Sequence, residues 1–390
     1  MCAGGDLNIQ ESGPALRKFV APEFIFGPGA SGLAGRYARN FGIRKVLLVS
    51  DRNVASQEWF VDICRSLDDA GVVWTLFTGL SENPKSGEVM RGAEVFMAEE
   101  CTGIVAVGGG SPMDCAKGIG VVSSNREHIL AFEGVDEVRL PGPPLICVPT
   151  TAGSSADVSQ FAIISDEVGR RKVAIISKTL VPDISLADPG PLLTLPPDIT
   201  AFTGVDALVH AVEAYVSNAG SPVTDLHARR AIELVITSLP SVMEDLYDPE
   251  CRYRTMMASL HAGLAFSNAS LGAVHAMAHA LGGYLDIAHG CANALLLEHV
   301  VAYNYPAARE RYTDIARIMG GTGQGGADEL ASLIREFRHS VGIGGTIHDI
   351  GVGRSDIQAL AVRAAADPCL ATNPRTATIE DLEGIYEAAL

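Results

Sequence analysis

Two runs in the second half of the chain carry residues whose types and spacing suit a metal ion. In residues 204–215 (GVDALVHAVEAY), Asp206 and His210 stand four apart in an alanine- and valine-rich stretch, so a helix brings both to one face. In residues 274–290 (VHAMAHALGGYLDIAHG), His275 and His279 repeat that spacing, and His289 follows a Gly-Gly pair expected to end the helix and turn the chain back. One carboxylate and three imidazoles form an O,N,N,N donor set suited to a divalent first-row metal. The spacing leaves open which of His275, His279 and His289 stands outside that set. A single histidine on an apolar helix face is usually a core residue, but two i, i+4 pairs with a further histidine form a stronger pattern. His227, His261, His299, His339 and His348 lack such spacing and are read as ordinary.

A second chemistry is written in the first half. Residues 108–117 (GGGSPMDCAK) directly follow the strand-like run GIVAV. Gly108, Gly109 and Gly110 let backbone approach a ligand, and Ser111, Pro112 and Asp114 resemble the cap and first turn of a helix, whose free N–H groups suit a diphosphate. This is neither G-x-G-x-x-G nor a Walker loop, so by generic pattern alone it is as much a tight turn as a nucleotide site. Residues 149–155 (PTTAGSS) give a hydroxyl-rich loop at the end of another strand, where doubly wound folds hold ligands. Asp51 closes the run KVLLVS and can either cap a helix or accept hydrogen bonds from a ribose.

These residues need a scaffold, and the hydropathy pattern supplies one. A chain of 390 residues exceeds what one core usually serves, so two domains are expected, divided as 1–195 and 196–390. Residues 45–50, 72–78, 103–107 and 145–149 are continuous apolar runs of strand length, as expected for strands covered on both faces. Amphipathic helical patterns separate the first three, which gives βαβ units and a parallel sheet. Residues 161–166 and 172–176, joined by the polar turn EVGRR, are expected to add a hairpin to that sheet. From residue 197 onward the long Ala- and Leu-rich segments predict an all-helical domain.

Composition narrows the partners. Hydrophobic residues at 47% and charged ones at 19% describe a globular chain with ample core, and a formal charge of −17 opposes binding to a nucleic-acid backbone or an anionic membrane. Residues 1–10 lack the basic start and apolar run of a signal peptide, and no stretch is read as a membrane span, so a cytoplasmic protein is expected. The eight cysteines contain no C-x-x-C pair and read as buried hydrophobes or free thiols.

Taken together, these segments resemble the iron-containing, or group III, alcohol dehydrogenases, from about Pro22 to the NPR segment at residues 373–375. GGGSPMDCAK is similar to that family's phosphate-binding signature, and the two histidine runs to its metal segments. The resemblance implies an α/β Rossmann-like domain joined to an all-α domain, the architecture shared with dehydroquinate synthase. It implies Asp206, His210, His275 and His289 as metal ligands, with His279 the non-ligand histidine near the substrate. It further implies NAD, lying on Asp51, Asn83, Gly108, Gly109, Gly110, Ser111, Asp114, Thr150, Thr151, Ser154 and Lys172. The metal expected is Fe(2+), with Zn(2+) also accepted by such ligands. The activity implied is reversible hydride transfer between a small primary alcohol, or its aldehyde, and NAD(H), in a homo-oligomer. Glycerol dehydrogenase, a dehydroquinate synthase-like reaction and a non-catalytic nucleotide-binding homologue are the alternatives. One departure is visible in the hydroxyl loop, where Asp157 stands in place of the family's more common glutamate.

Overall fold

A computed structural model describes residues 16–285 and 287–390; the leader reading of residues 1–10 and Cys2 lie outside the described residues. The strands are β1 (Glu23–Phe26), β2 (Lys45–Ser50), β3 (Val73–Phe77), β4 (Gly103–Gly108), β5 (Gly134–Val135), β6 (Leu145–Pro149), β7 (Phe161–Asp166), β8 (Arg171–Ile176) and β9 (Ile184–Ala187). The helices of the same half are α1 (Ala34–Asn40), α2 (Arg52–Ala55), α3 (Phe60–Asp69), α4 (Ser86–Ala98) and α5 (Gly110–Asn125). Six strands form a fully parallel sheet in the order β1-β9-β6-β4-β2-β3.

The sheet's sequence signature follows from its two cores. Val46 and Leu48 of β2, with Val105 and Val107 of β4, pack on one face with Ile63 and Leu67 of α3. Leu47 and Val49, with Ile104 and Ala106, pack on the other against Val89 of α4 and Ile119 of α5. Both faces are apolar, so the period-2 alternation is hidden inside a continuous run. The expectation fails for β3, an edge strand whose Val73 and Leu76 are exposed. Short β1 and β9, absent from the sequence reading, complete the other side of the sheet through β9–β6 pairing. The hairpin forms as β7 and β8, with Asp166 Oδ1 accepting the Val168 and Gly169 N–H groups in the turn. It does not join the parallel sheet, however: it belongs to a separate three-stranded sheet, β5-β8-β7.

After β9 the described chain is helical: α6 (Pro197–Val216), α7 (Pro222–Glu244), α8 (Pro249–Ala269), α9 (Ala273–Leu285), α10 (His289–Asn304), α11 (Arg309–Ile318), α12 (Gly326–Ser340), α13 (Ile357–Ala365) and α14 (Ile379–Ala389). Helix α6 is the axis of this half, packed by α7, α8 and α10. Its 20 residues and mean hydropathy of 1.2 are enough to cross a membrane by length and composition, contrary to the sequence reading. Yet 83% of that window is buried by its neighbours, as expected for a core helix that is apolar all round.

Helix α9 also departs from expectation. Gly282 and Gly283 lie inside it rather than ending it. A Cβ on Gly283 would stand 2.8 Å from Arg171 Cα and 2.9 Å from Lys172 N, and one on Gly282 would stand 3.0 Å from Lys172 Cε. The glycines therefore let β8 lie directly against α9, the helix that carries His275 and His279. Because the obstacle at Gly283 is backbone, Gly283→Ala is expected to destabilise the fold by about 1–3 kcal/mol. A lowered denaturant midpoint for that variant checks the contact; an unchanged midpoint would contradict it.

Candidate metal and dinucleotide site

Asp206 and His210 lie one turn apart in the middle of α6, His275 in the first turn of α9, and His289 at the first residue of α10. His275 Nε2 and His289 Nε2 stand 3.8 and 3.9 Å from Asp206 Oδ1, and His210 Nδ1 stands 4.0 Å from Asp206 Oδ2. The His210 ring stacks on His275 at 4.5 Å and on Phe266 at 4.3 Å between centroids. Burial pushes the imidazoles of His210 and His275 down to about 4 and about 3, against the pull of Asp206, and that of His289 well below its ordinary value. All three are therefore neutral at pH 7 and offer lone pairs. His210 Nδ1, which faces Asp206, is buried without a hydrogen-bond partner among the described residues. A neutral N,N,N set converging on one carboxylate, with an orphaned nitrogen facing it, fits a divalent cation. His279 belongs to a neighbouring group with Asp367 and Cys369, its ring stacked on His289 at 5.2 Å.

The structure adds partners that the sequence reading missed. Glu213 sits three residues after His210 on the same face of α6, an i, i+4, i+7 series with Asp206 that a helical wheel would have shown. Its Oε2 lies 2.6 Å from His275 Nδ1, and its two oxygens accept the N–H groups of Gly272 and Val274. One carboxylate thus supports the start of α9 and sets the His275 tautomer, leaving the Nε2 lone pair toward Asp206. Burial pushes the Glu213 carboxyl up to about 7, opposed by those backbone N–H groups. Asn373, first residue of the NPR segment, accepts the Ala273 N–H and is locked by paired bonds to Asn304. Asp367 Oδ2 lies 2.8 Å from His279 Nδ1. It is 88 residues from its partner, and no local spacing announces it.

The dinucleotide signals gather at one sheet edge because parallel strands end together. Register pairs Ser50 with Val107 and Gly108 with Pro149, so Asp51, the glycine loop and the hydroxyl loop share the carboxyl edge. The helix cap is Gly109, not Ser111, which lies inside α5 and donates its hydroxyl to the Glu82 carbonyl. Cβ atoms on Gly109 and Gly110 would press on Thr151 and Ser154, and one on Gly108, at φ 153°, on Pro112. The glycines thus allow the two loops to pack as one surface at the N-terminus of α5, which favours an anion. Thr150 is buried, its N–H donating to the Gly108 carbonyl. Lys172 Nζ donates to Asn83 Oδ1 at 2.6 Å, bringing two sequence-predicted residues together. Asp51 caps α2 through the Val54 N–H at 2.8 Å. Asp114 spends Oδ2 on the Ile163 N–H, and burial pushes its carboxyl up to about 6. Asp157 turns into the protein, accepting from Ser185 Oγ at 2.6 Å.

The two regions meet. A Cβ on Gly153 would stand 2.5 Å from the Thr203 carbonyl oxygen, so the hydroxyl loop rests on α6 one turn before Asp206. A dinucleotide-type sheet edge pressed against a neutral imidazole and carboxylate cluster is the arrangement of a metal-dependent oxidoreductase.

Comparison with known proteins gives the family. Iron-containing alcohol dehydrogenase matches residues 21–189, and the Fe-containing alcohol dehydrogenase family, C-terminal, matches residues 200–390. The chain is 39% identical to alcohol dehydrogenase 4 of Schizosaccharomyces pombe, covering 95% of this chain and 89% of that protein. It is 38% identical to 1,3-propanediol dehydrogenase of Klebsiella pneumoniae, covering 94% and 96%. The crystal structure of a 1,3-propanediol oxidoreductase superposes with a TM-score of 0.93 at 36% identity, covering 96% of this chain and all of that one (100%). The chain belongs to the iron-containing alcohol dehydrogenase family. It is an NAD-dependent oxidoreductase of this family, interconverting alcohol and aldehyde with NAD(H) and a divalent metal.

The Glu213 contacts carry a direct expectation. Replacing Glu213 by Gln keeps the shape but leaves one acceptor oxygen where two now face the Gly272 and Val274 N–H groups and His275 Nδ1, so the hold on His275 weakens and metal affinity should fall by about 10–100-fold. Titration of the EDTA-stripped variant with zinc, followed calorimetrically, checks this; native affinity would show that Glu213 serves only the helix start.

Proposed function

We propose that this enzyme oxidises a small primary alcohol, or reduces the corresponding aldehyde, at a cation held by Asp206, His210, His275 and His289. The observation that supports this most is the convergence of Asp206 with the buried, neutral imidazoles of His210 and His275, joined by the part-exposed His289 at 3.9 Å from the same carboxylate. When bound, a divalent ion, Fe(2+) or Zn(2+), supplies Lewis-acid polarisation of the substrate oxygen, and NAD supplies the hydride acceptor.

The chain's own residues do the rest. Asp206 contributes the one negative charge, while the neutral imidazoles leave the centre cationic enough to attract an oxygen. Asp367 holds His279 through Nδ1, so Nε2 is the nitrogen left to take or return the alcohol's proton. Gly108, Gly109, Gly110 and Ser111 at the start of α5 receive the diphosphate. Asn83, Asp114, Thr150, Thr151, Ser154 and Lys172 line the path from that loop toward His279, with Lys172 Nζ 3.4 Å from where a Gly282 Cβ would stand. Asp51 is assigned to the adenosine ribose.

Residues 1–195 and 196–390 form the two domains of this reading. Seven described cysteines, all free, support a reducing cytoplasmic setting. The unpaired edge of β3, with exposed Val73 and Leu76, supports a homo-oligomer. The formal charge of −17 argues against nucleic acid or membrane as a partner.

Two outcomes test the assignments. His210→Ala is expected to lose metal and turnover together, whereas His279→Ala should keep its metal and lose about 10²–10⁴-fold in kcat. Metal analysis beside steady-state kinetics separates them, and equal metal loss in both variants would exchange a ligand for a relay. For the cofactor, a carboxylate and a 2′-phosphate about 4 Å apart repel by roughly 4 kcal/mol at an effective dielectric near 20. Screening, side-chain rotation and the neighbouring Arg52 reduce this, and even a quarter of it favours NAD about fivefold. Asp51→Gly should therefore raise kcat/KM for NADP relative to NAD; no change would remove Asp51 from the ribose.

A further inference from the structure

Asn293 stands in the second turn of α10, four residues after His289, and is completely buried. Its Nδ2 lies 2.6 Å from Asp206 Oδ1, 3.1 Å from His289 Nε2 and 3.2 Å from His275 Nε2. Its Oδ1, equally buried, has no hydrogen-bond partner among the described residues. This orientation is fixed by chemistry. A carboxylate oxygen only accepts, so the reversed amide would set two acceptor oxygens 2.6 Å apart.

An amide NH2 carries two hydrogens, yet three acceptor atoms face it, so one of the three is always left over. Those acceptors are also the atoms assigned to the cation: His275 Nδ1 is committed to Glu213, which leaves Nε2 as its lone-pair nitrogen. Asn293 and a cation therefore compete for the same lone pairs. An N–H dipole pointed at a cation is repelled by it, whereas the unpartnered carbonyl on the same side chain is attracted.

We propose that Asn293 is a positioning residue of the metal centre: its amide holds Asp206, His275 and His289 together before the cation enters, and turns over on loading to present Oδ1. This rests on the metal assignment proposed above. The side chain thus serves as a latch that ties three ligands from three helices, α6, α9 and α10, and offers an oxygen once those ligands are engaged.

The test compares wild type with Asn293→Ala and the isosteric Asn293→Asp, each stripped with EDTA and then titrated with Co(2+) at pH 8. Thermal unfolding and the cobalt absorption band are followed, with no need for turnover. Asn293→Ala should lower the Tm of the stripped protein more than that of the cobalt-loaded protein. Asn293→Asp should do so more strongly, because a second carboxylate then faces Asp206, and should bind Co(2+) at least about tenfold more tightly through the added ligand charge. Equal loss of Tm with and without cobalt, or unchanged or weaker cobalt binding by Asn293→Asp, would make Asn293 a core amide and overturn the proposal. If Asn293→Ala does not fold, the isosteric variant decides alone. Wild-type cobalt binding that survives His210→Ala unchanged would instead overturn the metal assignment, and this proposal with it.

Discussion

Placing a carboxylate, three imidazoles and a second carboxylate at the centre of a helical core is costly unless each polar atom is paired, because an isolated charge or amide there loses its water without return. Glu213 is where that constraint is met. It has four consequences in one side chain: it compensates its own burial with two backbone N–H groups, caps the start of α9, fixes the His275 tautomer and holds α6 to α9. The other polar side chains of the cluster are placed relative to that joint. Asp206 and His210 precede Glu213 on the same face of α6, and α10 is brought to them by His289 and Asn293. The orphaned Nδ1 of His210 is the remainder that the protein alone does not satisfy.

The same close packing brings the two halves of the chain together. A parallel sheet brings the ends of β2, β4 and β6 to one edge, and the loop after β6 continues from that edge onto α6. Gly153 meets Thr203, so the hydroxyl loop touches α6 without an intervening layer. From the other side, Gly282 and Gly283 let α9 lie on β8, which brings Lys172 close to the turn that follows His279. Gly153 and Gly283 act here through the approach of backbone to backbone, which a larger residue would block, and Gly282 leaves room for the Lys172 side chain.

Much of this was legible from residue type and spacing. The apolar runs of β2, β4 and β6 and the i, i+4 pairs of α6 and α9 are local patterns, and the resemblance to a known family turned them into a ligand set. What escaped was set by distance in the chain or by tertiary packing. Asp367 and Asn373 act on residues 88 and 100 positions away, where sequence has no spacing to show, and Asn293, though four residues after His289, makes its shortest bond to Asp206, 87 positions earlier. The Gly-Gly pair read as a break because its partner, β8, lies a hundred residues earlier; the hairpin was placed on the wrong sheet because β5 has only two residues. Glu213 is different, since its position on the ligand face of α6 was readable and was passed over.

Crystals of the metal-loaded enzyme, measured on both sides of the absorption edge of the bound ion, test most directly where the metal lies. The predicted result is an anomalous peak enclosed by Asp206, His210, His275 and His289, with Glu213 bonded to His275 on its far side. A peak between His279, Asp367 and Cys369 instead, the other group of potential ligands among the described residues, would contradict it.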